Sequence, residues 1–190
     1  MADHSDFTQD AGAAAAPALA SDSSVEFVLG HADTPEKFCA ALAKLFGVRV
    51  REVALMRQDK GLLKFIFPEQ LKTAGSIPVS SSASVAAHTA STKKTQLFNT
   101  FTKVKHARVF EAVKLTGAGE DESEQASIQK LMSAPVLTPE RKVLGVIQVS
   151  RKAFDPSSAG PDFTLEDLQQ LELAAKVASK MTFMKEKFKG

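Results

Sequence analysis

The segment at 143–149, VLGVIQV, constrains the fold most, because its apolar side chains fall on both faces of the strand that it predicts. A strand with one solvated face alternates apolar and polar residues, whereas a strand covered on both faces is apolar throughout. We therefore predict that this segment is an interior strand of a sheet. Helices would cover one of its faces, and the wall of a ligand pocket could cover the other.

Two predicted hairpins supply neighbours for such a strand. The first lies at 50–68, and its period-two pattern predicts that Leu63, Phe65 and Phe67 share one face. The second lies at 127–152 and contains the interior strand. Pro135 falls inside its first strand, which indicates a sheet edge or a bulge at that point.

Capping residues mark two predicted helices. Thr34 has the residue type of an N-cap, and Gly47 fits the end of the same helix. Thr164 and Asp167 have the spacing of a capping box at the start of a final helix, which is predicted at 165–187.

Composition excludes several kinds of protein. The net charge of only +2 argues against a dedicated nucleic-acid binder, and no run of residues is long and apolar enough to span a membrane. The single cysteine, Cys39, excludes an intramolecular disulfide and a multi-cysteine zinc site, and it favours a reducing, cytoplasmic compartment. Residues 1–33 are predicted to be a flexible N-terminal tail, and residues 34–188 a single domain.

The final helix carries more apolar residues than one sheet face requires. One stripe contains Leu168, Leu171, Ala175 and Ala178, and a second contains Leu173, Val177, Met181 and Met184. A partner helix of a second copy would cover the excess, and the first helix of the same chain is the alternative. The candidate dimer interface consists of Leu171, Ala175, Ala178 and Met181.

Four stretches in this order resemble the GAF domain family. They are PVSSSASVAAHTASTKKTQLFNTF, HARVFEAV, MSAPVLTPERKVLGVIQVSRK and FTLEDLQQLELAAKVAS, and the resemblance covers residues 34–184. It implies an α+β fold with a central antiparallel sheet and helices on both faces. It also implies a ligand pocket under the middle strand–helix segments and dimerising helices on the opposite side.

The resemblance places the candidate pocket between the sheet and the segments 80–94 and 99–110. Serine hydroxyls at the start of the middle helix would cap that helix or hold an anion. The candidate pocket residues are Phe65, Phe67, Ser80, Ser81, Ser82, Asn99, Thr100, Phe101, Arg108, Phe110 and Gln148. Phenylalanines in this set are numerous enough to fill a cavity, so an empty, purely structural domain is the alternative.

No motif predicts a cofactor, a metal or a catalytic residue. Family members that bind cyclic nucleotides have a signature of which only Phe163 and Asp167 are present here. Both residues also fit structural roles at the start of the final helix. His88 and His106 are far apart in sequence and belong to no cluster with ligand spacing. Cys39 lacks the second thiol that methionine sulfoxide reduction requires.

These observations predict a non-enzymatic sensor or signalling module that binds an unidentified small molecule. The sequence carries no kinase, cyclase or DNA-binding motif, so the signal would pass through a homodimer or a partner protein. A ligand-free dimerisation scaffold is the alternative function. A reductase of the methionine sulfoxide type is the least favoured of the three.

Overall fold

A computed structural model describes residues 22–101 and 126–188. In these ranges six strands form one antiparallel sheet in the order β3-β2-β1-β6-β5-β4. The strands are β1 (Val53–Asp59), β2 (Leu62–Phe67), β3 (Ser76–Pro78), β4 (Gln96–Phe98), β5 (Ser127–Leu137) and β6 (Val143–Ala153). The helices are α1 (Asp22–Gly30), α2 (Pro35–Phe46), α3 (Val85–Thr92), α4 (Leu165–Ala178) and α5 (Thr182–Lys185).

Strand β6 is interior, as its sequence predicts, and lies between β1 and β5. Ile147 and Val149 belong to a core cluster with residues of α1, α2, α4 and α5, on what we call the helical face of the sheet. Val146 belongs to a second cluster with residues of β1, β2 and α3, on what we call the α3 face. The α+β architecture with helices on both faces is therefore confirmed.

Local capping signals place α2 and the start of α4 where the sequence predicts them. The Thr34 hydroxyl accepts a hydrogen bond from the Lys37 amide, and Gly47 ends α2 with a left-handed φ of 58°. The Asp167 amide donates to the Thr164 hydroxyl at 3.1 Å, and the Thr164 amide donates to the Asp167 carboxylate at 2.7 Å. The predicted capping box is therefore present.

Two predicted boundaries are wrong. Residues 22–30 form α1 rather than part of a flexible tail, because Val25 and Leu29 are buried in the core of the helical face, where α1 packs against α4. The predicted final helix does not reach residue 187. It ends at Ala178, Met181 adopts an extended conformation, and the short helix α5 follows.

The predicted dimer interface is also wrong for most of its residues. Leu171, Ala175 and Ala178 are at most 4% exposed and lie in the core cluster of the helical face, so they are not available to a second copy. Met181 is half-buried against the same cluster. The cover is intrachain, but it comes from α1, whose residues the sequence assigns to the tail, and not from the predicted first helix, α2.

A bulge corrects the predicted face of Phe67. The register between β1 and β2 shifts so that Phe67 pairs with Leu55 and Phe65 pairs with Met56, which leaves Ile66 as the extra residue. Phe65 therefore packs on the α3 face, whereas Phe67 packs on the helical face. A strict period-two pattern cannot reveal this change of face.

Gly145 allows β6 to approach β1 and α5 more closely than any other residue would. A Cβ atom at this position would lie 2.0 Å from the Met56 carbonyl oxygen and 2.6 Å from the Met184 side chain. The first neighbour is backbone and cannot move aside without disturbing the sheet. The glycine in the interior strand is therefore required by packing.

We expect Gly145→Ala to lower the free energy of unfolding by about 1–3 kcal/mol, or more if the strands separate, because the added methyl overpacks the sheet. Gly30→Ala is the matched control, since a Cβ there has no neighbour within 4 Å, and it should change stability by at most about 1 kcal/mol. Urea unfolding followed by circular dichroism measures both, because the chain has neither Trp nor Tyr for fluorescence. Equal losses for the two variants would contradict the packing argument.

Candidate functional site

A row of polar side chains crosses the α3 face of the sheet. Gln96 on β4 pairs with Ser133 on β5, Ser133 pairs with Gln148 on β6, and Gln148 pairs with Ala54 on β1. Directly paired residues on adjacent strands share one face of the sheet. We refer to Gln96, Ser133 and Gln148 as the polar row.

Helix α3 lies directly over this row. The Ser84 hydroxyl caps the helix by accepting from the Ala87 amide, and Ala86 and Ala90 are buried against the sheet. Alanine at these positions permits a close approach. It brings the buried Thr89 hydroxyl to 2.8 Å from the hydroxyl of Ser133.

Gln148 is the central residue of the site and is only 2% exposed. Its amide nitrogen donates to the Ser133 hydroxyl at 3.2 Å. Its carbonyl oxygen, Oε1, has no hydrogen-bond partner among the residues that the structure describes, and the same holds for Oε1 of Gln58 and of Gln129. A buried acceptor without a partner costs about 1–3 kcal/mol, so its presence in an ordered sheet needs an explanation.

Apolar residues surround the polar row on both sides. One group belongs to the cluster shared by β1, β2, β6 and α3, and comprises Met56, Leu63, Phe65 and Val146. The other lies toward β4 and the start of α3, and comprises Val85, Phe98, Phe101, Ile128 and Leu131. The site is therefore an apolar surface with a few polar groups at its centre, which is the usual composition of a small-molecule site.

Three predicted pocket residues lie on this face, namely Phe65, Phe101 and Gln148. Periodicity indicated the first, and the resemblance indicated the other two. Thr89 and Ser133 were missed, because a lone Thr in a helix and a lone Ser in a strand carry no signal until their elements pack together.

The serine run is not the helix cap that the sequence suggested. Ser80 and Ser82 are exposed, and the Ser81 hydroxyl accepts from the Ala83 amide in a turn. Ser84 caps the helix instead, because α3 begins at Val85. The run precedes α3 and does not reach the polar row.

Asn99 is occupied by a structural contact. Its amide nitrogen donates to the Phe163 carbonyl at 2.9 Å, and its carbonyl oxygen accepts from the Phe163 amide at 2.9 Å. These two hydrogen bonds join the end of β4 to the start of α4. They use both the amide nitrogen and the carbonyl oxygen of Asn99 in a contact within the fold. Thr100 beside it is exposed.

Several predicted residues cannot be placed. Arg108 and Phe110, and also His106, lie outside the described residues. His88 is exposed on α3. Within 22–101 and 126–188, no group of three or more His, Cys, Asp or Glu side chains could hold a metal ion.

The two residues that match the cyclic-nucleotide signature have structural contacts. Phe163 is buried, and the Arg151 guanidinium lies 4.7 Å from the centre of its ring. The same guanidinium donates to the carbonyl of Phe46, and Asp167 forms the capping box of α4. Both positions therefore have roles that require no nucleotide.

A cluster of charged side chains around the buried Glu52 lies at the end of the sheet rather than at the polar row. Burial alone would raise the pKa of Glu52. Hydrogen bonds from Arg49 and from the amides of Lys152 and Arg49 outweigh burial and leave this pKa below its usual value. Burial lowers the pKa of the Lys152 ammonium, although the Glu52 carboxylate opposes this effect.

Cys39 has the surroundings of an inert core residue. It is fully buried in α2, and burial raises the pKa of its thiol far above the usual value. A thiol in this state does not supply the thiolate that nucleophilic or redox chemistry needs.

A second concave surface lies on the helical face between α1 and α2. This α1–α2 groove has a volume of about 460 Å³ and is lined by Ser24, Val25, Val28, Leu29, Lys37, Ala40, Ala41, Lys44 and Leu45. Phe27 on α1 is 68% exposed. It contacts the ring of His31, whose Nδ1 lies 2.6 Å from the Phe27 carbonyl oxygen.

Comparison with known families identifies the chain. The model of the GAF domain family matches residues 36–180, so this protein belongs to the GAF domain family. A comparison with curated proteins gives no match. None of the described helices is long and apolar enough to cross a membrane.

Solved structures share the fold at low sequence identity. The GAF domain of an Acinetobacter phosphoenolpyruvate-protein phosphotransferase has a TM-score of 0.57 at 12% identity, covering 83% of this chain and 87% of that one. A methyl-accepting chemotaxis protein has a TM-score of 0.56 at 13% identity, covering 82% and 92%. A free methionine-R-sulfoxide reductase from Neisseria meningitidis, in complex with its substrate, has a TM-score of 0.53 at 16% identity, covering 86% and 86%.

We expect Gln148→Met to leave the free energy of unfolding unchanged or to raise it by about 1–2 kcal/mol, because it removes a buried acceptor that has no partner in the part of the chain that the structure describes. Ser133→Ala is the comparison, and it should lower stability by about 1–3 kcal/mol, since it leaves the Thr89 hydroxyl and the Gln148 amide nitrogen without their partner. Urea unfolding of the ligand-free protein measures both. A loss of more than about 1 kcal/mol for Gln148→Met would indicate that Oε1 has a partner after all, such as a bound water.

Proposed function

We propose that this chain is a cytoplasmic, non-catalytic GAF module that senses a small molecule and signals through a homodimer or a partner protein. The observation that carries the proposal is the buried carbonyl oxygen of Gln148, which has no partner among the described residues and lies within the polar row of a largely apolar face. Residues that lower the stability of the fold and make no compensating contact are concentrated at functional sites. The α3 face is the corresponding surface here.

The burial of the single cysteine and the raised pKa of its thiol support a binding role over an enzymatic one. Methionine sulfoxide reduction needs a thiolate to attack the sulfoxide and a second thiol to resolve the product. Cys39 is the single cysteine of the chain, it is buried in α2, and burial raises the pKa of its thiol. The likeness to a reductase is therefore treated as a likeness of fold.

The two faces of β6 offer a route from ligand to output. Gln148 points to the α3 face, while its neighbours Ile147 and Val149 pack against the helices of the opposite face. A ligand that bound one arrangement of the sheet and helices more tightly would shift the population toward it. The exposed Phe27 and the α1–α2 groove provide apolar surface on the helical face. A second copy that bound there would respond to a change in the packing of the helices.

A ligand-free scaffold is the second candidate function. The buried alanines of α3 and the buried ring of Phe101 favour it, because they already fill much of the α3 face. In that case the domain would only assemble with itself or with a partner.

Ligand extraction and melting distinguish the two functions. The full chain, purified under native conditions, is extracted for mass spectrometry and its melting temperature is recorded against a metabolite library. We expect at least one metabolite at 100 times its dissociation constant to stabilise the fold by about 2.7 kcal/mol, which is roughly 5–10 °C. Gln148→Met should lose this shift and Gln129→Met should keep it, since Gln129 is another buried glutamine, at the far end of β5. No shift with any metabolite favours the scaffold.

Charge on α1 tests the proposed dimer. Phe27→Glu should lower the apparent mass in solution from dimer toward monomer, because it places a carboxylate in an apolar contact. Phe154→Glu is the matched control, since Phe154 is 67% exposed and lies outside the α1–α2 groove. Sedimentation at several concentrations gives the masses. If Phe27→Glu and Phe154→Glu sediment alike, the contact does not involve α1.

A further inference from the structure

We propose that the polar row binds an uncharged small molecule through a ligand N–H group, with Oε1 of Gln148 as the acceptor. This inference rests on the proposed sensing function and names the chemical class of its ligand. The class comprises primary and secondary amides and heterocycles that carry an N–H group.

The hydrogen bonds of the row determine what a ligand must supply. The Ser133 hydroxyl contacts both the Thr89 hydroxyl and the Gln148 amide nitrogen. Gln148 uses its nitrogen to donate to Ser133, which leaves its oxygen as an open acceptor with two lone pairs. The reversed amide would present two N–H donors at the position that the oxygen now occupies. A group that donates a hydrogen bond satisfies this site, whereas a ligand carbonyl or ether oxygen would repel Oε1.

The neighbouring rows of the α3 face determine the charge of the ligand. The pairs on one side of the polar row involve Pro135, Val146 and Met56, and those on the other side involve Phe98, Leu131 and Ser150. None of these described side chains ionises. A charged group buried here would lose its hydration without gaining a counter-charge from the strand residues that the structure describes, which costs several kcal/mol.

The nearest ionisable group on this face of β6 is too far away and already engaged. Lys152 is four residues from Gln148, about 13 Å along the strand. Its ammonium interacts with the Glu52 carboxylate, which in turn pairs with Arg49 at 2.7 Å. The Glu52 carboxylate is thus shared by two cations at the end of the sheet. An uncharged ligand with an apolar body therefore fits the polar row best.

A series of simple amides tests the proposal on the full chain. Acetamide has two N–H donors, N-methylacetamide has one, and N,N-dimethylacetamide has none, while acetate adds a charge. Each is titrated into protein labelled with ¹⁵N, and the side-chain amide resonances of glutamine are followed by NMR. We expect saturable shifts of the Gln148 resonances with the first two probes. The dissociation constants for N,N-dimethylacetamide and acetate should be at least 10-fold larger, because the donor is lost or a charge is buried.

Two variants assign the effect to the acceptor. Methyl resonances on the α3 face, such as those of Val146, report binding when the glutamine itself is replaced. Gln148→Met should abolish the saturable shift, whereas Gln129→Met should preserve it, because the Gln129 amide donates to Ser127 and to the Ala153 carbonyl outside the polar row.

Three results would overturn the inference. They are equal binding of all three amides, tighter binding of acetate, and no saturable binding of any probe. The first two would leave the sensing function intact, because a ligand still occupies the α3 face. After the third, the extraction and melting experiment decides separately whether the domain senses a different ligand.

Discussion

Strand β6 meets β1 across Gly145 with no space for a side chain, and the helix that contains Met184 closes on the same point. This contact holds the interior strand between two core layers. Ile147 and Val149 anchor the helices on one face, and Val146 anchors the α3 layer on the other. Both candidate surfaces of the protein depend on this strand, since one contains Gln148 and the other is built on the helices behind it.

The α3 face brings several buried polar side chains together. The described core is apolar and closely packed, yet a serine, a threonine and a glutamine meet under α3, and one acceptor among them has no described partner. The charged groups that are buried nearby, Glu52 and Lys152, are in contrast part of a compensating cluster at the end of the sheet. Gln58 and Gln129 also have an unpaired buried oxygen, so what distinguishes the α3 face is that the unpaired oxygen of Gln148 lies with a buried serine and a buried threonine under one helix. This combination is the reason to assign a binding role to the face.

The helical face has the opposite character. The apolar surface of α4 is covered inside the chain by α1 and β5, and Phe27 and the α1–α2 groove remain as exposed apolar surface. A residue pattern on one helix gives the amount of apolar surface but not the element that covers it. An interface assigned from such a pattern can therefore fall in the core, as it does for Leu171.

The sequence by itself determined the interior position of β6 and the caps of α2 and α4, because these depend on periodicity and on contacts between residues close together in the chain. The GAF architecture followed from the resemblance of four stretches to that family. Only the tertiary structure decided the face of Phe67, which follows from a bulge, and the pairing of Asn99 with Phe163, which are 64 residues apart. It also decided that residues 22–30 form a helix and that the hydroxyls of Thr89 and Ser133 lie in hydrogen-bond contact, since each depends on a partner from a distant element. Local signals specify elements, whereas the choice of partners is made by packing over the whole chain.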